Sequence, residues 1–164
     1  MVANDQQLLA RWSGSITDPA LSPMEFYDIV EHKITESGIH GISFSTFTRR
    51  EGGCFSPFRI YLRIRLDEFF FDVCAFVSGR SFVVSYWLHI DCFGIVDLLA
   101  EIPGIGFLIE NTSRPATYYS IDFVEHFQRE VHKAILQVVD ELSEISGGER
   151  LPPEARPPIW EQLW

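Results

Sequence analysis

His89-Ile90-Asp91-Cys92 brings a base, an acid and a nucleophile within four residues. A cysteine attacks as its thiolate, and an adjacent imidazole that accepts the thiol proton generates one near neutral pH. This spacing therefore predicts, as one alternative, a cysteine-dependent enzyme with Cys92 as nucleophile and His89 as base. The competing reading makes His89 and Asp91 polar residues of a connection and Cys92 the start of an apolar segment. No glycine elbow or second motif accompanies the cluster, so the expectation is a protein that is not an enzyme. Cys54, Cys74 and Cys92 form an odd set without a CxxC pair, which indicates neither a disulfide framework nor a zinc knuckle. Cys74 sits inside a strand pattern and reads as a packing residue. His32, His40, His126 and His132 make no ligand set, because His126 and His132 fall on nearly opposite sides of one helix. Gly52-Gly53 and Gly147-Gly148 read as a turn and a helix end rather than as phosphate loops. No metal and no cofactor is expected.

The second candidate is a surface. Residues 58–66 alternate without error, with Phe58, Ile60, Leu62, Ile64 and Leu66 on one side and Arg59, Tyr61, Arg63 and Arg65 on the other. With Asp67-Glu68 as a two-residue turn, Arg63 faces Asp72, Arg65 faces Phe70, Tyr61 faces Cys74 and Arg59 faces Phe76. With Gly79-Arg80 as the centre of a type II′ hairpin, Asp72 lies beside Trp87, Cys74 beside Ser85 and Phe76 beside Val83. One sheet face then carries Ile60, Leu62, Ile64, Phe71, Val73, Ala75, Phe82, Val84, Tyr86 and Leu88, the core that helices must cover. The other mixes Arg59, Arg63, Arg65 and Asp72 with Tyr61, Phe70, Phe76, Val83 and Trp87. That face is too apolar for free solvation and too charged for a plain core. Either the tail or the N-terminal arm folds over it, or it binds another chain, since interfaces concentrate arginine and aromatic residues.

The elements that position these residues are legible from caps and periods. Ser22-Pro23-Met24-Glu25 is a capping box with proline at N1. It opens a helix over residues 23–37 with Phe26, Ile29, Val30 and Ile34 on one side and Gly38 as its left-handed cap. Leu8, Leu9 and Trp12 suggest a short helix or an arm. Strands are expected at 42–48, 58–66, 69–77 and 82–88, with Glu51-Gly52-Gly53 as a turn between the first two. A short helix is expected over residues 93–101. A long helix over residues 120–146 carries Val124, Phe127, Val131, Ala134, Ile135, Val138, Leu142 and Ile145. The fold class is α+β: an antiparallel four-strand meander with the N-terminal helix and the long C-terminal helix on one face. Residues 1–150 read as one domain and 151–164 as a proline- and tryptophan-containing tail.

The chain has 164 residues, 46% hydrophobic and 14% aromatic, enough for a sizeable core. Its 13 basic and 23 acidic residues give a net charge of −10. That argues against a nucleic-acid partner, which needs a positive field. The apolar stretch 93–109 is interrupted by Asp97, Glu101, Pro103, Gly104 and Gly106, so a membrane span is not expected. Peripheral membrane contact through this stretch is the third alternative, disfavoured by the acidic charge. The N-terminus shows no basic and apolar leader, and a cytosolic setting is expected.

Arg59-Ile60-Tyr61-Leu62-Arg63-Ile64-Arg65, Phe71-Asp72-Val73-Cys74-Ala75, Ser85-Tyr86-Trp87-Leu88 and Arg114-Pro115-Ala116-Thr117-Tyr118-Tyr119 together resemble a family of uncharacterised bacterial proteins. The resemblance covers most of the chain and implies no function. The order helix, four-strand meander, His/Cys segment and helices is similar to that of ubiquitin-conjugating enzymes, as is the glycine turn Glu51-Gly52-Gly53-Cys54-Phe55. The chain lacks their His-Pro-Asn triplet and Tyr-Pro-x-x-Pro-Pro stretch, and Cys92 follows His89 more closely. This resemblance implies only that Cys92 is a position to test. The leading expectation is a non-enzymatic adaptor, such as an acidic, chaperone-like secretion adaptor. It would hold a protein partner or a second copy of itself through Arg59, Tyr61, Arg63, Arg65, Asp72 and Trp87, with Trp160 and Trp164 of the tail.

Overall fold

The computed structural model describes residues 6–50, 57–91 and 118–161. In chain order these form β1 (Gln6–Thr17), α1 (Pro23–Glu36), β2 (Ser43–Arg50), β3 (Phe58–Leu66), β4 (Phe69–Ser78), β5 (Ser81–Asp91), α2 (Tyr118–Ile145), a single 3-10 turn (Pro153–Ala155) and β6 (Ile159–Trp160). The six strands make one antiparallel sheet in the order β2-β3-β4-β5-β1-β6. The fold is α+β as expected, but the four-strand meander is the larger part of a six-strand sheet. Residues 93–101 and the turn at 51–53 lie outside the described residues.

The largest correction is at the N-terminus. Instead of a short helix or arm, residues 6–17 form a long strand that pairs with β5 from Gln6–Asp91 to Thr17–Ser81. Ala10, Trp12 and Ile16 alternate into the core while Arg11, Ser13, Ser15 and Thr17 point the other way, the period of a half-buried strand. Gly14, between them, is required by contact: a Cβ there would stand 2.7 Å from the Trp12 indole.

The local signals at α1 are realised. The Ser22 hydroxyl accepts from the Glu25 N–H at 3.3 Å, and the Glu25 carboxylate accepts from the Ser22 N–H at 2.8 Å, the reciprocal bonds of a capping box. Gly38 takes φ +76° after the Ser37 cap. Phe26, Tyr27, Val30 and Ile34 are buried, with Ile29 at the margin. His32 pairs with Glu36, one turn further along α1, at 3.4 Å.

The hairpin registers are those expected: Arg63 pairs with Asp72 and Tyr61 with Cys74, then Asp72 with Trp87 and Cys74 with Ser85. Gly79 at φ +62° suits the first central position of a II′ turn. Asp67 adopts φ +53° in the other turn, tolerated because a short polar side chain visits the left-handed region at modest cost. The β3–β4 ladder runs from Leu66–Phe69 to Tyr61–Cys74. Just past it the Tyr27 hydroxyl donates to the Ile60 carbonyl at 2.7 Å and accepts from the Ala75 N–H at 2.9 Å. Helix α1 is thereby tied to both strands.

The core lies between the sheet and the two helices. Leu62, Ile64, Phe71, Val73, Ala75, Phe82, Val84, Tyr86 and Leu88 meet Val124, Phe127, Val131, Ala134, Ile135 and Val138 of α2 and the apolar side of α1. Ile60, at 40% exposure, and Ile145, at 83%, are the expected core positions that fall at its edge.

The tail docks on its own domain. The Trp12 indole N–H donates to the Ala155 carbonyl at 2.9 Å, Arg156 forms a two-pronged ion pair with Asp140 at 3.0 and 2.7 Å, and Ile159–Trp160 pairs with Ala10–Arg11. A polar chain crosses the interface: Gln128 donates to the Tyr86 hydroxyl at 3.1 Å, that hydroxyl meets His132 Nδ1 at 2.9 Å, and Nε2 meets the Arg156 carbonyl at 2.8 Å. Because a carbonyl only accepts, Nε2 carries the proton and Nδ1 accepts from Tyr86, the neutral tautomer.

Candidate interaction face

The strand registers bring Arg59, Tyr61, Arg63, Arg65, Asp72 and Trp87 together on one sheet face, opposite the helices. This face also gathers Arg11, Phe47, Arg49, Phe70, Cys74, Phe76, Val83, Ser85 and His89. Of the expected site residues, Trp160 lies elsewhere: it pairs with Ala10, whose side chain enters the core, so it belongs to the helix side of the sheet. Cys92 and Trp164 lie outside the described residues. Phe47 and Arg49 escape a reading of the sequence because no two-residue turn fixes how β2 meets β3. Arg11 escapes it because Leu8, Leu9 and Trp12 suggest an arm, although the alternation through Ala10, Trp12, Gly14 and Ile16 is the signal that finds the strand.

Asp72 is the face's centre of charge. Arg63 Nε and a terminal nitrogen reach its two oxygens at 2.7 and 2.8 Å, a two-pronged pair with Asp72 buried and Arg63 mostly so. Arg65 pairs with Asp91 at 3.0 Å and Arg11 with Glu161 at 3.1 Å. The guanidinium of Arg59 lies 3.9 Å from the Phe76 ring centre, that of Arg63 4.3 Å from Phe70 and 4.8 Å from Phe47, and that of Arg65 5.1 Å from Phe70. Each such contact contributes about 0.5–1 kcal/mol at a partly exposed site. Phe70, fully buried, has Arg65 as its neighbour on β3 and His89 on β5, and it stacks on the His89 ring at 5.2 Å. Phe47 stacks on Tyr61 at 5.2 Å, and Tyr61 meets Trp87 at 6.4 Å. The face is thus denser than a solvated sheet surface. Arg59, Arg63 and Arg65 sit over rings, and Asp72, Asp91 and Glu161 are already in ion pairs.

A recess opens in this face, lined by Phe47, Arg49, Tyr61, Asp72, Trp87 and His89. Nδ1 of His89 is buried and, among the described residues, has no hydrogen-bond partner. Burial holds the His89 imidazole below its ordinary pKa of 6.5; the nearby Arg63 and Arg49 charges act in the same direction, and Asp72 and the Trp87 backbone oppose them. Among the described residues no group of three His, Cys, Asp or Glu is arranged to hold a metal ion.

No family model matches this chain, and no curated protein matches it. Among solved structures, the crystal structure of TTHA0849 from Thermus thermophilus aligns over 84% of this chain and 98% of its own, at 14% identity and a TM-score of 0.30. Among the described residues no helix is long and apolar enough to cross a membrane. Residues 93–109, the candidate membrane-contact stretch, lie outside them.

The two half-buried histidines predict the pH response. His132 is lowered from 6.5 as well, by burial and by the neighbouring Arg156 charge, against the bond to the Arg156 carbonyl. In both cases the unfolded chain binds the proton more readily than the folded one, so stability rises with pH across the titration. Stability is expected to be complete above about pH 7 and to fall as acidification passes about 6.5 toward the lower folded values. Urea midpoints from about pH 7.5 to about pH 5.5 check this, with a shallower decline expected for His132→Gln.

Proposed function

We propose that this protein is a non-enzymatic binding module that holds an acidic segment of a protein partner on its arginine- and ring-bearing sheet face. The observation that carries this reading is a charge reversal within one molecule. A chain of net charge −10 places Arg11, Arg49, Arg59, Arg63 and Arg65 on one face with Asp72, Asp91 and Glu161 as the carboxylates paired there. Both described helices pack against the other side. Arginine and aromatic rings are the residue types that supply most of the binding energy at protein interfaces, and opposite potentials across an interface raise the rate of encounter. Self-association through the same face is the weaker version, because a two-fold contact would set arginines of one copy against arginines of the other.

The test is site-directed photo-crosslinking. With benzoylphenylalanine replacing Val83 on this face, irradiation of intact cells should give discrete adducts with an acidic protein. The same reagent replacing Lys133, exposed on α2, should not. Identical adducts from both positions, or none from position 83, would contradict the proposal.

A further inference from the structure

We infer that the recess between β2, β3 and β5 is a carboxylate-binding subsite that takes one aspartate or glutamate side chain from an extended segment of the partner; this rests on reading the face as a partner surface. The decisive feature is where positive charge is left over. Arg63, Arg65 and Arg11 each have a carboxylate partner. Arg49 and Arg59 stand directly opposite each other across β2 and β3, and among the described residues neither has a carboxylate within ion-pair distance. Like charges facing each other in a ladder destabilise the pair, and an anion placed between them reverses the sign of that contribution. Arg49 lines the recess, and Arg59, held over Phe76, is its cross-strand neighbour.

The other lining groups narrow the chemistry to a carboxylate on an apolar stem. A carboxylate accepts through two oxygens, so one can meet the Arg49 guanidinium while the other meets His89 Nδ1–H in the tautomer that carries its proton there. That nitrogen is buried and, among the described residues, has no hydrogen-bond partner. Phe47, Tyr61 and Trp87 wall the recess with rings, which suit the methylene stem and reduce screening of the charges. Asp72 does not block an anion, because Arg63 neutralises it through both of its oxygens. The shared wall of rings also favours an apolar or aromatic residue beside the acidic one in the bound segment.

The probes are two blocked octapeptides, one alternating glutamate with phenylalanine and the other alternating glutamine with phenylalanine. Binding is read by fluorescence anisotropy and by the ring 15N resonances of His89. The glutamate peptide is expected to bind about tenfold more tightly than the glutamine peptide and to shift His89 Nδ1. Arg49→Gln and Arg59→Gln should each collapse that discrimination to about threefold or less, while Arg80→Gln, on the distant β4–β5 turn, should preserve it. If both peptides bind equally and displace Trp87 and Val83 signals with His89 silent, the carboxylate subsite is wrong and the partner face stands. If neither peptide binds, the subsite is also overturned, and the crosslinks from position 83 decide separately whether the face holds a partner.

Discussion

Phe71→Ala is expected to lower the free energy of unfolding by about 3–5 kcal/mol. Phe71 is fully buried in β4 and packs edge-on against Tyr86 at 5.1 Å and Phe127 at 5.2 Å, so it joins β4, β5 and α2. Truncation removes the apolar transfer energy of the ring and leaves a cavity between the sheet and α2 that the surrounding side chains fill only in part. A domain of this size is stable by about 5–15 kcal/mol, so the variant should approach the unfolding threshold. Phe71→Leu, which keeps most of the volume, should cost about 1.5 kcal/mol or less. Urea denaturation of both variants measures the difference. A loss below about 1 kcal/mol for the alanine variant would mean that the sheet does not pack on α2 in this register.

The second large effect lies on the opposite face. Asp72→Ala should destabilise the protein by about 2–3 kcal/mol, because it strands the Arg63 guanidinium, 26% exposed, among Phe47 and Phe70 without its carboxylate. Most of that loss is the penalty for an unpaired, half-buried charge rather than the net worth of the pair. Replacing both partners, Asp72→Leu with Arg63→Met, should therefore recover most of it. The coupling energy from the four-member cycle should exceed about 1 kcal/mol. Additive losses would show that the two side chains act independently and that the face is looser than its geometry indicates.

How much of this is legible in the sequence depends on how locally each feature is encoded. The arginine row is readable because residues 58–66 alternate strictly and because Asp67-Glu68 and Gly79-Arg80 are two-residue turns, which leave only one register. The capping box at Ser22 and Glu25 needs nothing beyond four neighbouring residues. Strand β1 is hidden for the opposite reason: its pairing with β5 joins residues far apart in the chain, and its alternation is muted by Gly14 and by a bulge between Leu8 and Ala10. The β2–β3 pairing has the same character, so Phe47 and Arg49 join the site only once the fold is known. The density of the face is also hidden, since composition cannot say that Arg63 and Arg65 both sit over Phe70. Nothing in the proline-rich tail signals that Ala155 and Arg156 supply acceptors for Trp12 and His132.

Whether the charge-reversed sheet face holds an acidic partner is decided by one affinity. The protein recovered by crosslinking from position 83 should be titrated calorimetrically with the wild type and with Arg49→Glu combined with Arg59→Glu, at about 0.15 M salt. Thermal melting serves as the control for an intact fold. The expected result is at least about a hundredfold weaker binding with an unchanged melting transition. Binding within about threefold of the wild type would show that these arginines do not meet the partner.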